Sequence, residues 1–64
     1  MNDIQQRVTN ERDQLEKKLR SLTIFMDGVK FESLPYEERK MLQIQRPIME
    51  SYCEILNFRI ANFD

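Results

Sequence analysis

The segment Leu42–Phe63, LQIQRPIMESYCEILNFRIANF, contains two columns of residues that repeat every seven positions. The first column is apolar and consists of Leu42, Met49, Leu56 and Phe63. The second column is polar and consists of Gln45, Tyr52 and Arg59. Together they give the alternating three- and four-residue spacing of a helix face that packs on another helix. A buried polar group without a hydrogen-bond partner costs about 1–3 kcal/mol, so we expect the polar column to meet another subunit, a facing helix or a ligand.

A second helical pattern precedes this segment, over residues 3–26. Val8, Leu15 and Leu22 form an apolar seven-residue column, and the companion column is polar in the middle: Ile4, Glu11, Lys18 and Phe25. The other side of the pattern is charged and is predicted to be a solvated face, with Arg12, Asp13, Glu16, Lys17 and Arg20. Asp3 is the predicted N-cap.

The connection between the two patterns contains the one glycine of the chain, Gly28. A glycine just past a helix end predicts a residue of positive φ. Phe31 is expected to fold back over this end of the structure, and its alternative role is a stacking surface beside a ligand. Ser33 is a candidate cap for the second helix.

These patterns predict one all-α domain over residues 1–64, an antiparallel αα-hairpin with helices at about 3–26 and 34–63 and a loop at 27–33. Pro47 removes a backbone hydrogen bond within the second helix, so we expect a kink there. A complete break is the alternative, but the two columns keep their phase across Pro47. A hairpin buries only one stripe on each helix, so the sequence predicts a homo-oligomeric helical bundle.

The charge balance bears on partners and location. Ten Lys and Arg against eleven Asp and Glu leave a net charge of −1, which makes a nucleic-acid polymer an unlikely partner. No apolar run approaches the roughly 20 residues that cross a bilayer, and the N-terminus lacks the apolar core of a signal peptide. We therefore expect a soluble, intracellular protein with Cys53 reduced and no membrane contact.

The composition leaves little for catalysis. The chain has no histidine, so a Ser-His or Cys-His pair is excluded, and one cysteine without histidine gives no soft-ligand metal site. The acidic residues show no calcium-loop spacing, and one glycine cannot form a glycine-rich phosphate cradle. We predict no enzyme activity, no metal and no cofactor.

Five residues are candidates for ligand binding. The guanidinium of Arg59 matches phosphate oxygens, although it could equally form an inter-subunit ion pair with Glu11. Tyr52 is either a half-buried core aromatic or a surface on which a base stacks. Gln45 either meets a base edge or bonds its twin across a two-fold axis. In an antiparallel hairpin Arg7 should lie near Arg59 and add positive charge, or else be an exposed arginine.

The chain also resembles a common family of short phage-encoded proteins. The pattern that carries the resemblance is Phe25-x5-Phe31-x2-Leu34, then Leu42-x2-Gln45-x3-Met49-x2-Tyr52-x3-Leu56-x2-Arg59-Ile60-x2-Phe63, together with the opening Gln6-Arg7-Val8-x2-Glu11-x3-Leu15. It covers nearly the whole chain, and Pro47 departs from the helix-forming residue expected there. More specifically, the chain looks like an anti-CBASS sponge.

The resemblance implies a small oligomer that sequesters the cyclic dinucleotide signals of bacterial immunity, in the cytoplasm of the infected bacterial host. The implied ligand-binding residues are Arg59, Tyr52, Gln45, Arg7 and Glu11. A tetramer is favoured, in which each of these residues recurs about a symmetry axis and two arginines face the two phosphates. The first rival is a helical module that docks on a host or phage protein and inhibits it. The second is a purely structural bundle in which the polar column fixes register.

Overall fold

The computed structural model of the chain describes residues 2–63, and all regular secondary structure in this range is helical. Three helices follow one another: α1 (Asp3–Met26), α2 (Val29–Glu32) and α3 (Tyr36–Ala61). The N-terminal part of α1 contacts the C-terminal half of α3, so the two long helices run antiparallel along a shape of 46 × 15 × 14 Å. The predicted all-α class, with one long helix packed on another, is confirmed.

The N-cap of the first helix lies one residue earlier than predicted. Asn2, not Asp3, is the N-cap, and its side-chain oxygen accepts from the Gln5 backbone N–H at 2.8 Å. The Gln5 side chain in turn accepts from the Asn2 backbone N–H, which completes a capping box. Asp3 lies in the first turn, where a negative charge faces the positive end of the helix dipole.

The connection is more ordered than the predicted loop over 27–33. One helical turn, α2, lies within it, and Gly28 is the N-cap of this turn with a φ of −95°. The prediction of positive φ at Gly28 is therefore wrong. The chain leaves α1 and enters α2 at once, so Gly28 takes the extended backbone of an N-cap and not the left-handed backbone of a helix end.

Phe31 in α2 is buried, and its ring meets that of Phe25 edge to face with 6.2 Å between centroids. This confirms that Phe31 folds back over the end of the hairpin. The expectation for Ser33 is wrong, because its hydroxyl donates to the Lys30 carbonyl at 2.7 Å and Pro35 is the N-cap of α3. The backbone turn at the end of α2 places Ser33 too early to cap α3.

The second long helix, α3, continues through Pro47 without a break. Loss of one backbone hydrogen bond in a helix of 26 residues does not end it, because the neighbouring turns keep their bonds and their packing. The alternative of two separate helices is therefore wrong, and the kink at Pro47 stays a prediction. Glu37 and Glu38 occupy the first turn of α3, where they complement the helix dipole.

The contact face between α1 and α3 is built from apolar residues on both helices. Fully or nearly fully buried are Val8, Cys53 and Leu56. Half-buried around them are Leu15, Leu19, Leu22 and Met26 of α1, and Leu42, Met49 and Ile60 of α3 together with Phe63 beyond its end. The two apolar columns predicted from the sequence therefore lie where α1 and α3 meet.

The second column of this face differs from the one that the spacing first indicated. The column Arg39, Arg46, Cys53 and Ile60 is buried or half-buried, whereas Gln45, Tyr52 and Arg59 are exposed. Both columns lie three or four residues from the apolar column, so both satisfy the spacing rule. The hairpin buries the column that contains Cys53 and Ile60, because removal of these two apolar side chains from water is favourable, and Arg39 and Arg46 of the same column are only half-buried.

Candidate functional site

Four of the five predicted binding residues lie on one exposed side of the hairpin, beside the contact face. We define the polar edge as Gln45, Tyr52 and Arg59 of α3 together with Glu11 of α1. All four side chains are exposed within the single chain. The seven-residue spacing on α3 keeps its three members on one side of the helix, and Glu11 comes to this side because α1 runs alongside.

Tyr52 and Glu11 join the two helices at the polar edge. The Tyr52 hydroxyl, on a side chain 40% exposed, donates a hydrogen bond to Oε2 of Glu11, 41 positions away in the sequence. This bond raises the pKa of Tyr52 above its ordinary value, because it stabilises the protonated hydroxyl. Partial burial and the negative charge of Glu11 raise the pKa further. Two of the five predicted residues are thus in direct contact.

Arg59 lies close enough to influence the same hydroxyl. Its positive charge lowers the Tyr52 pKa, against the larger effect of the Glu11 hydrogen bond. Arg59 also borders a shallow groove of about 460 Å³, whose other lining residues are Ser51, Glu54, Ile55 and Phe58. Arg59 therefore stands between the Tyr52–Glu11 contact and an open, mainly apolar surface of α3.

The other two predicted residues lie further from this contact. Gln45 is two helical turns before Tyr52, and its amide nitrogen lies 3.6 Å from the sulfur of Met49. Arg7 is exposed and lies one turn before Glu11 in α1. The hydrogen bond between Arg12 and Asn57 sets the register of the hairpin and puts Arg7 level with the last turns of α3, at the end where Arg59 lies.

One contact between the helices was missed by the sequence reasoning. Arg12, predicted to lie on a solvated face, has a side chain only 26% exposed. Its Nη1 donates to Oδ1 of Asn57 at 2.9 Å, and its Nε lies 2.8 Å from Oδ1 of Asp13. The signal for this placement was its seven-residue spacing to Leu19 and Met26, which are both half-buried.

The buried Cys53 lies in the electrostatic surroundings of Arg12. Burial raises the pKa of its thiol, the charge of Glu16 raises it further, and the charge of Arg12 lowers it. A thiol whose pKa is raised by burial is a poor nucleophile at neutral pH. Cys53 is therefore an apolar filler of the contact face.

Two arginines of α3 also enter the contact face. Arg46 is half-buried, and its Nε lies 3.5 Å from Oε1 of Glu50. The guanidinium carbon of Arg39 lies 6.0 Å from the centre of the Tyr36 ring, and its Nε is buried without a hydrogen-bond partner among the described residues. With Arg12 they give three half-buried arginines beside the apolar residues of the two long helices.

The polar edge offers groups for binding. A tyrosine ring can stack on a flat group, a guanidinium can bind an anion through paired hydrogen bonds, and a carboxylate can accept from an N–H. Within residues 2–63, no three or more Cys, Asp or Glu side chains are grouped so that they could hold a metal ion. In the same range no helix has the length and hydropathy needed to cross a membrane.

Comparison with known proteins gives two matches. A family model described as Sequestin matches residues 2–62. The "Uncharacterized 7.5 kDa protein in denB-rIIB intergenic region" of Enterobacteria phage T4 is 41% identical over 59 residues, which cover 92% of each chain. No solved structure matches the chain.

Proposed function

The chain belongs to the Sequestin family of short phage-encoded proteins, and from this we propose that it binds and sequesters a cyclic dinucleotide as an anti-CBASS sponge. The family description indicates a sequestering role, which needs binding without reaction. In the proposed role the protein acts in the cytoplasm of the infected bacterial host. It withholds the signal that activates immunity, and no bond of the ligand is made or broken.

The observation that carries this proposal is the contact of Tyr52 with Glu11 beside Arg59. Because the hydroxyl of Tyr52 is held by a residue of the other helix, the ring is fixed in direction, and its face is left for a ligand. A fixed aromatic ring loses little conformational entropy when a base stacks on it. The positive charge of Arg59 lies on the same side, where a phosphate next to that base can be bound.

The chemistry of a cyclic dinucleotide fits such an edge when it is repeated. The ligand has two phosphates and two bases and is roughly two-fold symmetric. One edge supplies one ring and one nearby guanidinium, with Gln45 for a base edge and Arg7 as further positive charge. One edge is also too open to enclose a ligand, since Tyr52 is 40% exposed. The site is therefore completed in a homo-oligomer, with a tetramer favoured.

Titration calorimetry with a panel of cyclic dinucleotides tests the function directly. At least one should bind at micromolar concentration or tighter, and the absence of heat with every member contradicts the proposal. Arg59→Ala should weaken binding by about 10- to 150-fold, because a hydrogen bond to a charged group contributes about 1.5–3 kcal/mol.

The matched control for this experiment is Arg20→Ala, which removes an exposed arginine from the far side of α1. Its affinity should equal that of the wild type. Equal losses in the two variants mean that the ligand responds to total charge and not to the polar edge. An unchanged affinity for Arg59→Ala removes that residue from the site. Circular dichroism of both variants should match the wild type.

A second candidate function is docking on a host or phage protein, and the end of the hairpin near α2 favours it. Ile24, Val29 and Tyr36 are there 69%, 83% and 67% exposed. An exposed apolar surface of this kind often binds another protein. Capture of one stoichiometric partner from infected cells, lost with Val29→Glu but kept with Arg59→Ala, supports docking. Loss of capture with neither variant rejects this surface.

A further inference from the structure

The side of α3 that faces away from α1 contains a second apolar stripe. We define the outer stripe as Met41, Ile44, Ile48, Ser51, Ile55 and Phe58. The spacing of these residues alternates between three and four along the helix, as in a packed helix–helix seam. Its five apolar side chains are between 47% and 72% exposed. One apolar residue exposed alone is ordinary, but five at seam spacing on one helix are typical of a face that another helix covers.

We propose that the outer stripe binds the outer stripe of a second copy of this chain, with the two α3 helices antiparallel. The inference refines the homo-oligomer of the proposed function and does not depend on any ligand. The order of spacings along the stripe reads the same in both directions. A two-fold axis between positions 49 and 50 therefore puts every stripe residue opposite another stripe residue.

In this register Met41 meets the second copy's Phe58, Ile44 meets Ile55, and Ile48 meets Ser51. The groove lined by Ser51, Ile55 and Phe58 is then filled by the side chains of the other helix. Ser51 is the one small residue of the stripe, and it stands opposite the branched Ile48. In a parallel pair each residue meets its own twin, so two Ser51 side chains leave a gap and two Phe58 rings crowd each other.

The charges beside the stripe fit the same register. Glu38, in the first turn of α3, comes within two residues, about 3 Å, of the level of Arg59 of the second copy, and Gln45 comes equally near the level of its Tyr52. Two pairs of opposite charges and two pairs of hydrogen-bonding groups thus flank the apolar contact on one side. The antiparallel direction also sets the N-terminal end of each α3 beside the C-terminal end of the other, where the helix dipoles are favourable.

The pairing has a consequence for the binding site. At about 1.5 Å per residue, the two Arg59 side chains of one pair are about 29 Å apart along the helices. One cyclic dinucleotide cannot reach both. A tetramer with several two-fold axes contains a second interface between copies, different from the outer stripe. Two Arg59 side chains that bind one ligand must therefore meet across this second interface. The outer stripe then forms the interface of the pair, and the ligand binds at the second interface.

Sedimentation velocity of the ligand-free full chain tests whether the outer stripe is the interface. The wild type should sediment as a multiple of the 7.8 kDa chain. Ile48→Glu should dissociate the assembly at least one step, because it buries two like charges at the seam. The control is Ile24→Glu, the same change at a residue 69% exposed outside the stripe, and its mass should equal that of the wild type. A wild type that is monomeric at every concentration, or an Ile48→Glu variant of wild-type mass, overturns the proposal.

Cross-linking tests the direction of the pair. A mixture of Met41→Cys and Phe58→Cys chains should form a disulfide-linked heterodimer, whereas neither variant alone should cross-link. The wild type is the control, since its one cysteine, Cys53, is 6% exposed. Cross-linking of Met41→Cys with itself shows a parallel pair and overturns the proposal. The absence of a disulfide-linked product from the mixture also overturns it. This result does not depend on whether Ile48→Glu unfolds when the assembly dissociates. Calorimetry of ligand binding is a separate readout, so a failed ligand panel leaves this result standing.

Discussion

Leu56 and Ile55 are neighbours in α3, yet Leu56 is fully buried and Ile55 is 57% exposed. The first belongs to the contact face with α1, and the second belongs to the outer stripe. Both faces have apolar residues at the spacing of a helix–helix seam, and both run over most of the same helix. The difference is that the chain has only one other long helix with which to cover them.

In a hairpin of this size, α1 covers only one of the two apolar faces of α3. The contact face carries its own polar groups, Arg12, Arg39 and Arg46, whereas five of the six outer-stripe residues are apolar. A largely apolar face is thus left exposed in the single chain. That distribution favours association, because transfer of the exposed apolar face out of water lowers the free energy.

The largest expected effect is a loss of stability when a residue of the contact face is truncated. Leu56→Ala should lower the free energy of unfolding by about 2–5 kcal/mol, because the side chain is fully buried and leaves a cavity. Urea unfolding followed by circular dichroism measures the change. The control is Ile24→Ala, at a side chain outside both faces, which should change stability by less than about 0.5 kcal/mol. Equal effects at the two positions contradict the distinction between a packed and an unpacked face.

A smaller effect is expected at the polar contact within that face. Removing Arg12 or Asn57 breaks one hydrogen bond between the helices, and a double-mutant cycle should give a coupling of about 1 kcal/mol between them. The cycle uses Arg12→Ala, Asn57→Ala and the combined variant, each unfolded in urea. Repeating it with Arg20 in place of Arg12 should give no coupling. Full additivity for Arg12 and Asn57 means that their hydrogen bond does not hold the helices in register.

The smallest expected effect concerns Tyr52, at the border between the two faces. Its pKa is raised, so the Glu11 contact contributes stability below the ordinary pKa of 10.0 and loses that contribution as the pH rises through the folded-state pKa. Absorbance titration of tyrosinate in Tyr36→Phe, where Tyr52 is the remaining tyrosine, should give a midpoint above 10.0. Adding Glu11→Ala should move that midpoint down. An unchanged midpoint contradicts the contact.

The fold was largely predictable because its main signal is local. The apolar columns through Leu56 and Val8 required only a count along the chain, and the unbroken phase of the columns across Pro47 was enough to indicate one continuous helix. The caps were less predictable. Asn2, Asp3 and Ser33 are all suitable capping residues, and the choice between them depends on where the backbone turns, which neighbouring elements decide.

The candidate site was predictable only in part. Heptad spacing grouped Gln45, Tyr52 and Arg59 on one side of α3, but it left open whether they meet the facing helix, another subunit or a ligand. The hairpin leaves all three exposed. Glu11 was noticed as a polar interruption, yet its bond to Tyr52 depends on the axial offset of the two helices. Arg12 was misplaced because a run of charged residues usually marks a solvated face, and here tertiary contact with Asn57 overrode that tendency.

The sequence by itself determined that this protein is helical, that its two long helices are joined by a short connection, and that a single hairpin buries only one stripe on each helix. These properties follow from periodicity and composition, which act along the chain. Only the tertiary structure decided which column of α3 turns toward α1, and therefore which residues are left outside. Two columns with equal spacing differ only in the free energy of burying their side chains. That free energy depends on which residues of α1 pack against them, and the packing exists only in the folded hairpin.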